Sequence, residues 1–166
     1  MREALFSILE SRGRIAGGVV LDVYAGTGAL AIEALSRGAA RAVLVESDRH
    51  ALAAIRRNLA DLDLGGSAEV VATGAERFLR AGSTARSGVG FTLVLADPPW
   101  AHVGAAAALL GEVAQADASG GLLATGACVV LEHASRDGPP DIPGLAREDT
   151  RAWGDTAISF YGQAGL

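Results

Sequence analysis

The 166-residue chain contains no lysine; its 14 basic residues are all arginine, a bias that fits a GC-rich coding sequence rather than a function. It has a single cysteine, Cys128, so no internal disulfide can form, and the neighbouring Ala127, Val129, Val130 and Leu131 place that thiol on a buried strand. The three histidines, His50, His102 and His133, lack metal-ligand spacing, and no metal is expected. No apolar run approaches the roughly 18 to 20 residues of a membrane helix. Residues 1–9 read as an amphipathic helix rather than a signal peptide, so no membrane is expected and the cytoplasm is the expected location. Positive charge is scarce too: a formal charge of −5 counts, taken alone, against a nucleic-acid partner, because phosphate binding ordinarily leaves a basic footprint.

What is present is 22 glycines and a 50% hydrophobic composition, in a length that suits one domain spanning 1–166. Leu5, Phe6, Ile8 and Leu9 share one broad face and predict a helix over 2–12, beginning at Met1 without a cap. Val19 to Tyr24 predicts a buried first strand, Ala42 to Val45 a second, Ala68 to Val71 a third, Phe91 to Ala96 a fourth and Ala127 to Leu131 a fifth. Between them, Ile32, Ala34 and Leu35 mark one helix, and Leu52, Ile55, Leu59 and Leu62 mark another over 49–62 whose Arg49, Arg56 and Arg57 form a solvated face. A further helix passes through Phe78 and Leu79. Residues 81–90 read as a loop, and Ala101 to Ala118 as an alanine-rich helix. Leu145–Trp153 and Ala157–Tyr161 read as a closing hairpin around Gly154 and Asp155. Strands alternating with helices predict an α/β, doubly wound, mostly parallel seven-stranded sheet with an antiparallel C-terminal hairpin.

Three features carry chemistry. Ala25-Gly26-Thr27-Gly28-Ala29-Leu30-Ala31 joins a strand to a helix; such a turn lets backbone approach a ligand and presents free N–H groups at the helix start. Glu46 ends the second strand at the spacing of an acid that accepts both ribose hydroxyls. The third is Asp97-Pro98-Pro99-Trp100, where an apolar strand stops at an acid, two prolines and an aromatic ring. Prolines cannot continue a ladder, and ligands bind at the carboxyl edge of open α/β sheets.

Gly26-x-Gly28-x-x-Ala31 also satisfies a dinucleotide fingerprint, so a nicotinamide-dependent dehydrogenase is one reading. Asp22 favours another. Just before the glycine turn, its carboxylate would repel a pyrophosphate but suits the cationic methionine end of S-adenosylmethionine (SAM). An exocyclic amine on a nucleobase is a poor nucleophile because its lone pair is delocalised into the ring. If Asp97 and the Pro98 carbonyl accept its hydrogens, density returns to nitrogen. Pro98 and Pro99 stiffen the turn, and Trp100 can stack on a base rotated out of its helix.

The chain resembles the RsmD-type 16S ribosomal RNA guanine-N2 methyltransferases along almost its whole length. The resemblance rests on Arg2-Glu3-Ala4-Leu5-Phe6, Leu21-Asp22-Val23-Tyr24-Ala25-Gly26-Thr27-Gly28, Glu33-Ala34-Leu35-Ser36-Arg37-Gly38-Ala39, Val45-Glu46, Arg57-Asn58-Leu59, Ala96-Asp97-Pro98-Pro99 and Gly154-Asp155-Thr156. It implies a Rossmann-like class I SAM-dependent methyltransferase fold and methylation of one guanine N2 in 16S ribosomal RNA within a small-subunit particle. The catalytic candidates are Asp97, Pro98, Pro99 and Trp100. The SAM-binding candidates are Asp22, Tyr24, Ala25, Gly26, Thr27, Gly28, Glu46, Ser47, Gly74, Ala75 and Asp97. Trp100 stands where Tyr or Phe is usual. Gly74-Ala75 lacks an acid often found near the adenine, so apolar contact and backbone groups are expected to hold it. The family begins upstream with a basic β-hairpin that this chain lacks, and Met1 replaces the usual valine; an internal start or a shortened chain is therefore expected. That loss would account for the missing basic charge, with SAM binding surviving and RNA affinity reduced. Rival readings are a methyltransferase of another planar amine, a DNA base or protein glutamine, and a shortened domain that binds SAM or RNA without turnover.

Overall fold

A computed structural model describes residues 1–82, 90–116 and 121–165. The elements run α1 (Arg2–Ser11), β1 (Val19–Asp22), α2 (Ala29–Ser36), β2 (Arg41–Glu46), α3 (Arg49–Asp61), β3 (Ala68–Ala72), α4 (Ala75–Ala81), β4 (Phe91–Ala96), α5 (Val103–Ala116), β5 (Leu123–Ala134), β6 (Leu145–Trp153) and β7 (Thr156–Gln163). Seven strands form one sheet in the order β3-β2-β1-β4-β5-β7-β6. Strands β1 to β5 pair in parallel, β7 is antiparallel to β5, and β6 is antiparallel to β7.

The central strands read as continuous apolar runs because both faces are covered. In β4, Leu93 and Leu95 join Leu5, Phe6 and Leu9 of α1, Ala31 and Ala34 of α2 and Ile55 of α3. Val94 and Ala96 point the other way, toward Phe78 of α4 and Leu109 and Leu110 of α5. Cys128 lies in the first of these layers, buried, and burial pushes its thiol up to about 11.

Several boundaries differ from the sequence reading. Strand β1 stops at Asp22, because the chain then bends into the glycine turn. Strand β5 is longer at both ends and carries Glu132 and His133 inside it, since its pairing with β7 continues to Ala134. Leu62 is 56% exposed rather than packed, as it lies one residue past the end of α3. Residues 83–89 of the expected loop and 117–118 of the expected helix fall outside the described residues.

The strand order reverses between β1 and β4, whose neighbours run β2, β3 on one side and β5 on the other. A crevice at the carboxyl ends of the strands at such a switch point is the ligand site of this architecture.

Candidate active site

At that switch point lies a hollow of about 810 Å³. Its β1/β2 side is built around the glycine turn. Gly28 (φ +85°) starts α2 in the left-handed region, where a Cβ would lie 3.1 Å from Leu44 Cδ2 and 3.4 Å from Ile32 Cδ1. Glycine is required there both by φ and by helix-to-strand packing. At Gly26 (φ +56°) a Cβ would meet nothing within 4 Å, so that backbone is bare toward the hollow. Asn58 of α3 braces the turn by donating from Nδ2 to the Thr27 carbonyl at 3.0 Å.

Glu46 ends β2 and ties the cradle together. Its Oε2 accepts the Gly26 N–H at 2.8 Å, and its Oε1 accepts the Ser47 and Asp48 N–H groups at 2.8 and 2.9 Å. A carboxylate has about four acceptor sites. Three are used, which leaves about one, on Oε2, for a hydroxyl, where acceptance of two was expected from the sequence.

Asp22 lies beneath the turn, fully buried. Its Oδ2 accepts the Ala31 N–H at 3.2 Å in the first turn of α2, while Oδ1 is, among the described residues, the buried side-chain oxygen with no hydrogen-bond partner. Burial pushes this carboxyl up to about 7; the Ala31 N–H opposes the shift, and the charges of Asp97 and Glu46 add to it.

The β4/β5 side is different. The chain leaves β4 through Asp97, buried Pro98 and Pro99, then makes a 3₁₀ turn over Trp100–His102 closed by the His102 N–H donating to the Pro99 carbonyl at 2.7 Å. Trp100 is 44% exposed at the rim, with the Arg136 guanidinium 6.0 Å from its ring centroid. Asp97 is open through the mouth of the hollow, but the protein around it still desolvates its carboxyl and raises its pKa. Because Ala96 pairs with Leu131, Asp97 and Glu132 occupy the next positions on neighbouring strands. Glu132 is half-buried, and burial followed by the charge of Asp97 pushes its carboxyl up to about 7. Neither carboxylate accepts a hydrogen bond from the described residues.

Of the sequence candidates, Tyr24, Ala25, Gly26, Thr27, Glu46, Ser47, Ala75, Asp97, Pro98, Pro99 and Trp100 line the hollow together. Asp22, Gly28 and Gly74 do not: the first two lie under the turn, and Gly74 stands exposed at the start of α4. Residues not singled out from sequence also line it, notably Arg2, Thr73, His102 and Glu132. Glu132 could have been found by carrying the two-residue alternation of β5 one step past Leu131.

A ligand that fits must be of small-molecule size, tolerate bare backbone and a hydroxyl-accepting carboxylate on one side, and bring positive charge above the buried Asp22. SAM meets these demands, since the unpartnered Oδ1 of Asp22 is buried negative charge that a cation above the turn relieves. The doubly wound sheet with its inserted antiparallel strand and this hollow define a class I SAM-dependent methyltransferase. Comparison with known proteins gives the finer assignment. The family described as "Conserved hypothetical protein 95" matches residues 1–162. The chain is 37% identical over 164 residues to Ribosomal RNA small subunit methyltransferase D of Escherichia coli (strain K12), covering 97% of this chain and 75% of that one. It is 32% identical over 154 residues to the Putative rRNA methyltransferase YlbH of Bacillus subtilis (strain 168), covering 90% and 78%. A solved structure titled as a conserved hypothetical protein of Streptococcus pyogenes superposes with a TM-score of 0.83 at 31% identity, covering 99% of this chain and 96% of that one. The chain belongs to this family, the RsmD-type methyltransferases, and SAM is its methyl donor. Among the described residues no helix is long and apolar enough to cross a membrane.

Proposed function

We propose that this enzyme methylates the exocyclic N2 of one guanine in small-subunit (16S) ribosomal RNA, acting in the cytoplasm on RNA held in a small-subunit particle. The observation that carries this reading is Asp97: a carboxylate without an internal donor, at the end of β4, opening into the hollow that Gly26 and Glu46 also line. The name of the Escherichia coli relative supports the substrate.

Bound in the cradle, SAM supplies an activated methyl group on a sulfonium. Gly26, Thr27, Tyr24, Ala25 and Ser47 would surround it, Glu46 would accept a ribose hydroxyl on Oε2, and Thr73 and Ala75, which line the hollow beside Gly74, would border the adenine. Asp22 acts from below by its charge. Asp97 and the Pro98 carbonyl accept the two N2 hydrogens of guanine, which turns the nitrogen lone pair toward the hollow and restores its density. Pro99 fixes the turn, and Trp100 stacks on the base once it leaves its helix. Most of the rate enhancement is positioning, because the methyl arrives already activated. As a single domain over 1–166, the chain holds both binding sides itself.

The test is mass spectrometry of nucleosides from small-subunit RNA of cells lacking the protein. One N2-methylguanosine is expected to disappear; an unchanged methylation pattern would reject the substrate.

A further inference from the structure

Asp97 explains how an amine is gripped but not why that amine belongs to guanine, since adenine and cytosine carry exocyclic amines as well. The difference lies in the ring nitrogen beside the amine. In guanine it is N1–H, a donor; beside the amines of adenine and cytosine it is a bare lone pair. Guanine is therefore the one standard base whose Watson–Crick edge offers an amine and a ring N–H side by side.

Glu132 supplies a matching second acceptor. It stands next to Asp97 in the parallel register of β4 and β5, about one strand spacing away (~4.8 Å). It lines the same hollow, is half-buried, and has no hydrogen-bond donor among the described residues. Two adjacent carboxylates with no donor between them are costly unless something brings N–H groups to both. His133, the next residue on the strand, points away and is fully satisfied: its Nε2 lies 2.8 Å from Ser159 Oγ and its Nδ1 3.1 Å from the Ala134 carbonyl. Glu132 is thus the side chain of β5 that the hollow receives.

We propose that Glu132 determines base specificity, its ionised carboxylate accepting guanine N1–H while Asp97 and the Pro98 carbonyl hold the N2 amine. This rests on the guanine-N2 reading above. An adenine or cytosine turned the same way would set its ring lone pair against the carboxylate, and a glutamine side chain would leave Glu132 without a partner. No proton changes hands in this recognition. It is a match of two acceptors to two donors, of the kind by which flipped bases are read on their Watson–Crick edge.

The test replaces the target guanine with 2-aminopurine, which keeps the amine at C2 but has a lone pair at N1. The substrate is a small-subunit particle reconstituted with ligated 16S RNA that carries guanine or 2-aminopurine at the position the wild-type enzyme methylates, assayed at pH ~8, above the Glu132 pKa of about 7. Wild type is expected to favour guanine in kcat/KM by about 100-fold or more, since a site built around a substrate N–H strongly rejects the analogue lacking it. Glu132→Gln can turn an amide N–H toward N1 of 2-aminopurine, so the ratio is expected to fall toward or below one. Glu132→Ala, with neither acceptor nor donor, should treat both bases alike. A far-UV circular dichroism spectrum and a cooperative thermal transition like those of wild type report an intact fold in the two variants. If either variant kept the wild-type ratio, Glu132 would have no part in selection although guanine methylation stood. If wild type formed no N2-methylguanine at all, both this proposal and the reading beneath it would fall.

Discussion

On the β1/β2 side of the hollow, Glu46 accepts three backbone N–H groups and Asn58 secures the Thr27 carbonyl, while Gly28 is wedged against Leu44 and Ile32. On the β4/β5 side, Asp97 and Glu132 accept nothing from the described residues, and burial raises the pKa of both. The two sides share one cavity, and on the function proposed above they serve two different ligands. A cradle whose polar groups are held by the protein is preorganised and changes little when its ligand arrives. Acceptors left without donors are unfavourable alone and become favourable only when a substrate brings N–H groups, which is the ground for proposing that side as the one that recognises the reacting amine.

The contrast predicts separable defects. Asp97→Ala is expected to lower kcat by about 10³ with SAM affinity changed less than about threefold, since an interaction made to the reacting group is lost. Glu46→Ala is expected to do the reverse: SAM affinity falls by about 10- to 100-fold, as hydrogen bonds to a charged group are lost and the turn loosens, while turnover at saturating SAM changes little. Titration calorimetry with SAM and single-turnover methylation measure the two quantities. Equal loss of both in both variants would erase the distinction between the sides.

Asp22 sits under the boundary between them and is best probed by stability. Its carboxyl is raised from 3.8 to about 7 in the fold, so between those values the folded protein holds a proton that the unfolded chain has released. Folding then takes up a proton, and stability falls as pH rises across that window, by on the order of 4 kcal/mol. Glu132, raised in the same direction, adds to the slope. Thermal unfolding of the SAM-free protein from about pH 4 to 8 checks this: the melting temperature should fall with pH, and Asp22→Asn should flatten much of the decline. A slope unaffected by Asp22→Asn would remove Asp22 as its source.

The smallest expected effect is at the rim. Trp100→Ala should raise the KM for RNA and lower kcat/KM by an amount corresponding to a stacking contact of about 1–3 kcal/mol, and leave SAM affinity alone. A rise in the Kd for SAM of similar size would mean that the ring serves the cradle instead.

Sequence reading reached the two sides unequally, for physical reasons. The glycine turn, Glu46 and Asp97-Pro98-Pro99-Trp100 are local signals, each needing only its own strand and loop, and the structure brings them to one hollow. Asp22 was legible as an acid beside the turn but not as a buried one; its depth depends on α2 folding back over β1, which places the Ala31 N–H against it. Glu132 carries no such local signal, because the apolar run of β5 stops at Leu131. Only pairing with β7 carries the strand through to Ala134 and brings Glu132 beside Asp97. Arg2 reaches the hollow because α1 packs across the sheet, a tertiary fact that the periodicity of one helix does not contain. The parallel order of β1 to β5 followed from alternation of strands and helices, and the closing hairpin from its turn, whereas Leu62 shows the limit of helical periodicity at a helix end.

The most direct measurement gives the enzyme methyl-labelled SAM and unmethylated small-subunit particles, then digests the RNA and locates the label. The label is expected in N2-methylguanosine with the wild-type protein and nowhere with Asp97→Ala. Label in any other nucleoside, or undiminished label from the Asp97→Ala protein, would contradict the assignment of the β4/β5 side to a guanine amine.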